Sequence, residues 1–159
     1  MANVSFITVG NLKEKYLKDA VSEYKKRIAQ YAKVDETEIK EERIANEDDK
    51  SEISRALAAE GEKILYSVHK DAFKIALCVE GTQYDSEGLA ALIGKGLDKS
   101  GRIAFIIGSS HGLSEKVKAA CDVRLSVSKL TFPHQLMRPL LCEAVYRSFT
   151  IIAGKKYHK

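Results

Sequence analysis

The sequence predicts a three-layer α/β fold with a mainly parallel sheet. Two observations carry this. Strand-like and helix-like segments alternate from start to finish, the pattern of successive β-α-β units. Two strand segments, residues 73–79 and 102–107, are almost continuously apolar, as strands covered on both faces by helices are.

The elements follow in order. Val4 to Val9 reads as a strand ended by Gly10. Leu17, Val21, Tyr24, Ile28 and Tyr31 recur at helical spacing, with Lys15, Lys18, Lys25, Lys26 and Arg27 on the opposite face. Val34 to Ile39 alternates weakly and reads as an edge strand, followed by an acidic stretch, Glu41 to Asp49, expected to be a mobile loop. Ile53, Leu57, Ile64 and Leu65 mark a second helix, weakened at Gly61. Phe73 to Val79 is a buried strand, expected to end in a Glu80-Gly81 turn. Leu89, Leu92, Ile93 and Leu97 give a third helix, and Arg102 to Ile107 a second central strand. Gly108 to Gly112 is a sharp loop that opens a helix, with Ser114 a candidate N-cap and Glu115 in the first turn. Asp122 to Val127 is a short strand. The last helix covers about residues 134–153, with Thr131 a candidate cap and Pro139 expected to kink it or delay its start. Gly154 ends that helix and a basic tail follows. No repeat, linker or low-complexity stretch interrupts the pattern, so a single domain over residues 1–159 is expected.

Composition narrows the function. Of the 159 residues, 45% are apolar, enough for one proper core. No apolar run reaches the roughly 18 residues of a membrane span, and the N-terminus lacks the pattern of a secretory signal. Cys78, Cys121 and Cys142 are odd in number and far apart, with no CxxC pair. They read as small buried hydrophobes in a reducing, cytoplasmic compartment. His69, His111, His134 and His158 show no metal-ligand spacing, so no metal is expected. No Ser/His/Asp constellation or carboxylate pair stands out. Charge is uneven: residues 100–159 carry ten Lys/Arg against three Asp/Glu, and residues 1–99 carry sixteen against nineteen. The basic half either faces a polyanion or is a solvated surface.

Parallel α/β sheets bind ligands at the carboxyl ends of their strands. Three ends are informative: Leu77 to Gly81, Gly108 to Gly112, and Leu125 to His134. Each also has a plain structural reading: a turn glycine, a tight loop, serines bonded to local backbone, a first-turn histidine. The Gly108 loop is neither GxGxxG nor a P-loop. The last helix brings Met137, Leu141, Ala144, Val145 and Ile152 near one face, for core packing or a dimer contact.

Taken together, specific stretches resemble one family. These are Val9-Gly10-x-Leu12-Lys13-Glu14-Lys15-Tyr16, Phe105-Ile106-Ile107-Gly108-x-x-x-Gly112-Leu113-Ser114, and above all Leu125-Ser126-x-Ser128-Lys129-Leu130-Thr131-Phe132-Pro133-His134-Gln135-x-Met137-Arg138. Glu143-x-x-Tyr146-Arg147 and the terminal Tyr157-His158-Lys159 complete the set. The chain is similar over nearly its whole length to the RlmH family, SPOUT-class methyltransferases that modify N3 of a pseudouridine in 23S ribosomal RNA. Ser109 departs from that family's usual glycine, Pro139 from a branched apolar residue and Ala144 from a glutamine, and the loop around Glu41 to Asn46 differs.

The resemblance implies an α/β fold with a trefoil knot in the C-terminal half, a homodimer, and S-adenosylmethionine as cofactor. It implies that Leu77, Gly108, Val127, Ser128, Lys129, Leu130, Thr131 and Phe132 hold that cofactor. It also implies that the target is the pseudouridine in the helix 69 loop of 23S ribosomal RNA, on assembled ribosomes. The chemistry is a positioning task in which an imide proton must leave N3. His158, Tyr157 or His134 would assist as base, and Arg147, Arg138 and the tail lysines would hold phosphates or a developing imide anion. Two other classes compete: a ribosome-binding module without cofactor affinity, and a Rossmann-like nucleotide-binding protein. The latter lacks its glycine fingerprint and distal acidic residue.

Overall fold

The computed structural model describes residues 1–159. Five strands and five helices alternate: β1 (Ala2–Val9), α1 (Lys15–Ile28), β2 (Ala32–Ile39), α2 (Lys50–Ser67), β3 (Phe73–Gln83), α3 (Ser86–Ser100), β4 (Arg102–Ile107), α4 (Glu115–Ala120), β5 (Val123–Ser126) and α5 (His134–Ile152). The strands form one sheet in the order β2-β1-β4-β3-β5, and every pairing is parallel. No helix is long and apolar enough to cross a membrane.

Period-two alternation divides the strands between two cores. On one face Val4, Phe6, Ile75, Ile103, Phe105 and Ile107 meet α1, α3 and α5 through Leu17, Val21, Ile93, Leu141 and Val145. Phe6 and Phe105 stack with their rings 5.6 Å apart. On the other face Ile7, Val9, Ala76, Ala104 and Ile106 meet α2 and α4 through Ile64 and Val117. Asp49, Asp85 and Ser114 cap α2, α3 and α4 by accepting hydrogen bonds from first-turn amides.

Several sequence expectations need correction. β3 does not turn at Glu80-Gly81. It runs on to Gln83 and pairs again with β5 after a register shift between Leu77 and Thr82. Gly81 lies against the β5 backbone there: a Cβ would fall 2.7 Å from the Arg124 carbonyl, so the position reads as a close approach rather than a turn. Thr131 is exposed and does not cap α5; the capping position is Pro133, with no side-chain cap. Pro139 does not delay α5, which begins at His134. Gly61, expected to weaken α2, lies within it and is buried against Ser114 and Val117 of the neighbouring segment, so a close approach accounts for the glycine there.

The acidic loop after β2 is anchored. Glu52 accepts hydrogen bonds from the amides of Ala45 and Asn46, and Glu60 accepts one from the Glu42 amide at 2.9 Å. Glu60 is almost wholly buried, and its second oxygen has no partner. Arg138 is a second anchor. It is 5% exposed and bonds the Gly10 carbonyl at 3.2 Å and the Glu38 carboxylate at 2.8 Å. This ties the start of α5 to the carboxyl ends of β1 and β2 and leaves Arg138 unable to hold a phosphate, correcting that expectation.

Two stability predictions follow from these anchors. Burial, with Glu41 and Glu42 nearby, pushes the Glu60 carboxyl above its ordinary range, opposed by the Glu42 amide and His111. Below the unfolded-state pKa both states carry the proton, so the shift costs nothing; the cost grows as pH rises to the folded-state value. Glu60→Gln should therefore reduce the loss of stability as pH rises above the ordinary carboxyl range, about pH 4, read by urea unfolding. Arg138→Met should lower stability by about 3 kcal/mol in the same measurement, because two charge-assisted bonds disappear from a buried site.

Candidate functional site

The carboxyl ends of β3, β4 and β5 surround a cavity of about 340 Å³. Its lining comes from the three sequence segments expected to converge there: Leu77 to Glu80, Ile107 to Leu113, and Leu125 to Phe132, with His134, Met137 and Lys118. Leu77, Gly108, Val127, Ser128, Leu130, Thr131, Phe132 and His134 all face this one cavity. Lys129 lies on the same loop, exposed, and is not part of the lining.

The Gly108 loop is shaped by its backbone. The Gly112 amide donates to the Ser109 carbonyl at 2.9 Å, and Gly112 takes φ +87°, where other side chains are strained. A Cβ on Gly108 would fall 2.2 Å from the Gly112 carbonyl oxygen, so a side chain there has no room. Ser109, the departure from the family's glycine, is buried with no positive φ, and its hydroxyl accepts from the His111 amide at 3.2 Å. The serine braces the loop without backbone strain.

The 127–133 loop relies on its own side chains. The Ser126 hydroxyl donates to the Ser128 carbonyl at 3.3 Å, and the Ser128 hydroxyl accepts from the Leu130 amide at 2.9 Å. These are the local bonds the plain reading anticipated. They leave the backbone facing the cavity without a ladder partner.

The remaining candidates form a second cluster. Arg147 donates from Nε and Nη2 to Glu143 Oε1, at 3.0 and 2.6 Å. Its Nη1 lies 3.2 Å from His158 Nδ1, and its Cζ lies 4.7 Å from the Tyr157 ring centre. The Tyr157 hydroxyl donates to Glu143 at 3.2 Å, and its ring meets Tyr146 edge-on. A guanidinium cannot accept a hydrogen bond, so His158 accepts at Nδ1 and carries its proton on Nε2. Burial, then Glu143 and Tyr24, push the Tyr157 phenol upward, so at neutral pH it is a donor. Thirteen residues of α5 separate Arg147 from His134, about 20 Å along the helix. Within one chain the tail cluster and the cavity are therefore apart.

Sequence reasoning missed Lys118, and it gave no role to Glu80 and His111, which lie within the flagged segments; all three line the cavity. Glu80 was hidden by reading Gly81 as a turn. Lys118 follows Glu115 by three residues, a pairing the sequence carries but does not aim.

Comparison with known proteins agrees with this geometry. The family model described as "Predicted SPOUT methyltransferase" matches residues 2–158. A "Ribosomal RNA large subunit methyltransferase H" from Caldicellulosiruptor bescii is 47% identical, covering 98% of this chain and 99% of the relative. One of the same description from Shouchella clausii is 45% identical, covering 99% of each. Among solved structures, a "Probable Methyltransferase" from Bordetella pertussis Tohama I superposes with a TM-score of 0.60 at 14% identity, over 93% of this chain and 95% of that one. A tRNA methyltransferase from Aquifex aeolicus gives 0.51 at 16% identity, over 91% and 69%. These two show likeness of fold alone. With the family model spanning almost every residue and relatives this similar end to end, the chain belongs to the SPOUT methyltransferase family.

Proposed function

We propose that this protein is a cytoplasmic, homodimeric methyltransferase of large-subunit ribosomal RNA. It uses S-adenosylmethionine to methylate N3 of the pseudouridine in the helix 69 loop on assembled ribosomes. The convergence of the three strand-end loops on one cavity carries this reading, together with what the relatives' names say they modify. The whole chain, residues 1–159, acts as one domain. Membership of the SPOUT family supports a C-terminal trefoil knot.

The cavity fits the cofactor. Its volume is in the range of small-molecule pockets, and its lining mixes apolar side chains with hydroxyls and backbone amides. Gly108 lets the Gly112 carbonyl close tightly against its Cα, which sets the shape of the loop at the cavity. S-Adenosylmethionine supplies a methyl group already activated by its sulfonium. Leu77, Gly108, Val127, Ser128 and Leu130 to Phe132 hold it, with Lys129 on the outer side of the same loop.

The chain's own residues orient the base and deal with its proton. His134 is placed at the cavity to take the N3 proton. Arg147, kept charged and oriented by Glu143, and His158, with Nε2–H outward, donate to the nucleotide; Tyr157 braces them. A loop nucleotide is less stacked than a paired one, so extruding it costs less. Because the tail cluster lies about 20 Å from His134 in its own chain, a second copy supplies it to the cavity. Exposed apolar residues at the rim, Val79 at 84% and Leu130 at 72%, suit cover by that copy.

Incubation with labelled S-adenosylmethionine and ribosomes lacking the modification should place one methyl group on that pseudouridine, mapped by mass spectrometry of the RNA. Cofactor binding without transfer would sink the RNA reading, and no binding by calorimetry would sink the enzyme. His158→Ala and Arg147→Ala should each lower turnover by about 100-fold or more, with cofactor affinity nearly unchanged. The shared-site geometry has its own test. Gly108→Ala and His158→Ala proteins, each inactive alone, should regain about a quarter of normal activity after subunit exchange, since mixed dimers hold one intact site. Sites built within one chain would give no recovery.

A further inference from the structure

Among the side chains lining the cavity there is one carboxylate, Glu80, and one lysine, Lys118. They are bonded to each other: Lys118 Nζ donates to Glu80 Oε1 at 2.6 Å, and lies 3.4 Å from Glu115 Oε1. The two are unequally exposed. The Lys118 side chain is 14% accessible and the Glu80 side chain 52%. Lys118 therefore sits behind the carboxylate, and Glu80 presents itself at the cavity wall. Two carboxylates already neutralise Lys118, so it has little left for an anion. Glu80 keeps its second oxygen for another donor, and Lys118, shared with Glu115, offsets only part of its charge. The open lone pairs of that carboxylate suit a pair of neighbouring hydroxyls.

The position in the fold is equally specific. Glu80 lies on β3 within the register shift between Leu77 and Thr82, past the end of this strand's pairing with β4 at Ala76. β4 is the strand that delivers the Gly108 loop. Glu80 therefore stands on the wall of the same cavity that the Gly108 loop lines. Lys118 also draws the Glu80 carboxyl below its ordinary range, so it is ionised at neutral pH.

We infer that Glu80 accepts hydrogen bonds from the vicinal ribose hydroxyls of the bound nucleoside, and that Lys118 is a positioning residue holding that carboxylate against the cavity wall. The inference rests on the cofactor reading above and adds a specificity determinant to it.

Calorimetry with three probes tests it: S-adenosylhomocysteine, 5′-methylthioadenosine, which keeps the ribose but lacks the amino-acid arm, and 2′,3′-dideoxy-5′-methylthioadenosine. Glu80→Ala should weaken the first two alike, by about 10- to 30-fold, and leave the dideoxy compound unchanged. Lys118→Met should show the same selectivity with a smaller loss, and Lys118→Arg should restore most of it. Loss for S-adenosylhomocysteine but not for 5′-methylthioadenosine would assign Glu80 to the amino-acid arm and overturn the inference. Equal loss for all three probes, or no loss for any, would also overturn it. Failure of the unaltered protein to bind S-adenosylhomocysteine would instead bring down the cofactor reading on which it stands.

Discussion

The structure depends on a sheet that is parallel throughout and must be covered on both faces. Parallel strands need crossover helices, and those helices bury both sides of the strands they connect. β4 shows the constraint most directly: Ile103, Phe105 and Ile107 serve one core while Ala104 and Ile106 serve the other. The two cores differ in bulk. Stacked phenylalanines fill the face under α1, α3 and α5, while alanines let α2 and α4 come close on the other. Because every strand points the same way, the carboxyl ends of β3, β4 and β5 open at one edge. That alignment collects segments some 50 residues apart in sequence into one cavity.

The anchors around that edge divide the labour. Arg138 fixes the start of α5 to the ends of β1 and β2, so the loop before it spans fixed points. Glu52 and Glu60 pin the acidic loop through backbone amides. Glu143 gathers Arg147 and Tyr157 at the far end of α5. In each case a carboxylate or guanidinium satisfies backbone or side-chain groups that no ladder reaches.

Much of this was legible in the sequence, and the exceptions have physical causes. Four of the five helices follow from apolar periodicity and α4 from its cap at Ser114, β1 reads as a strand ended by Gly10, and the two dense apolar runs announced central parallel strands. The extension of β3 beyond Val79 was not legible. Val79 to Gln83 carries exposed and polar residues and a glycine, and its pairing depends on β5, nearly 45 residues away. The delayed start expected from Pro139 did not occur, because a missing amide near a helix start removes only one internal bond and the surrounding buried side chains hold α5. Single-chain geometry of the site was the least legible part. Neither the motif around residues 125–138 nor the tail motif says that α5 holds them a helix length apart.

The bulged continuation of β3 makes the two sides of the cavity mechanically unlike. One side, Leu77 to Glu80, belongs to the short stretch between two rungs with β5, at Leu77 and at Thr82, in which the residues between have no partner in that strand. The opposite side, residues 127–133, is held by serine hydroxyls to its own backbone and little else. The β3 span is short and pinned by sheet rungs at both ends, whereas the span from β5 to α5 is longer and has no such rungs, so the shape of the cavity is set more firmly on its β3 side.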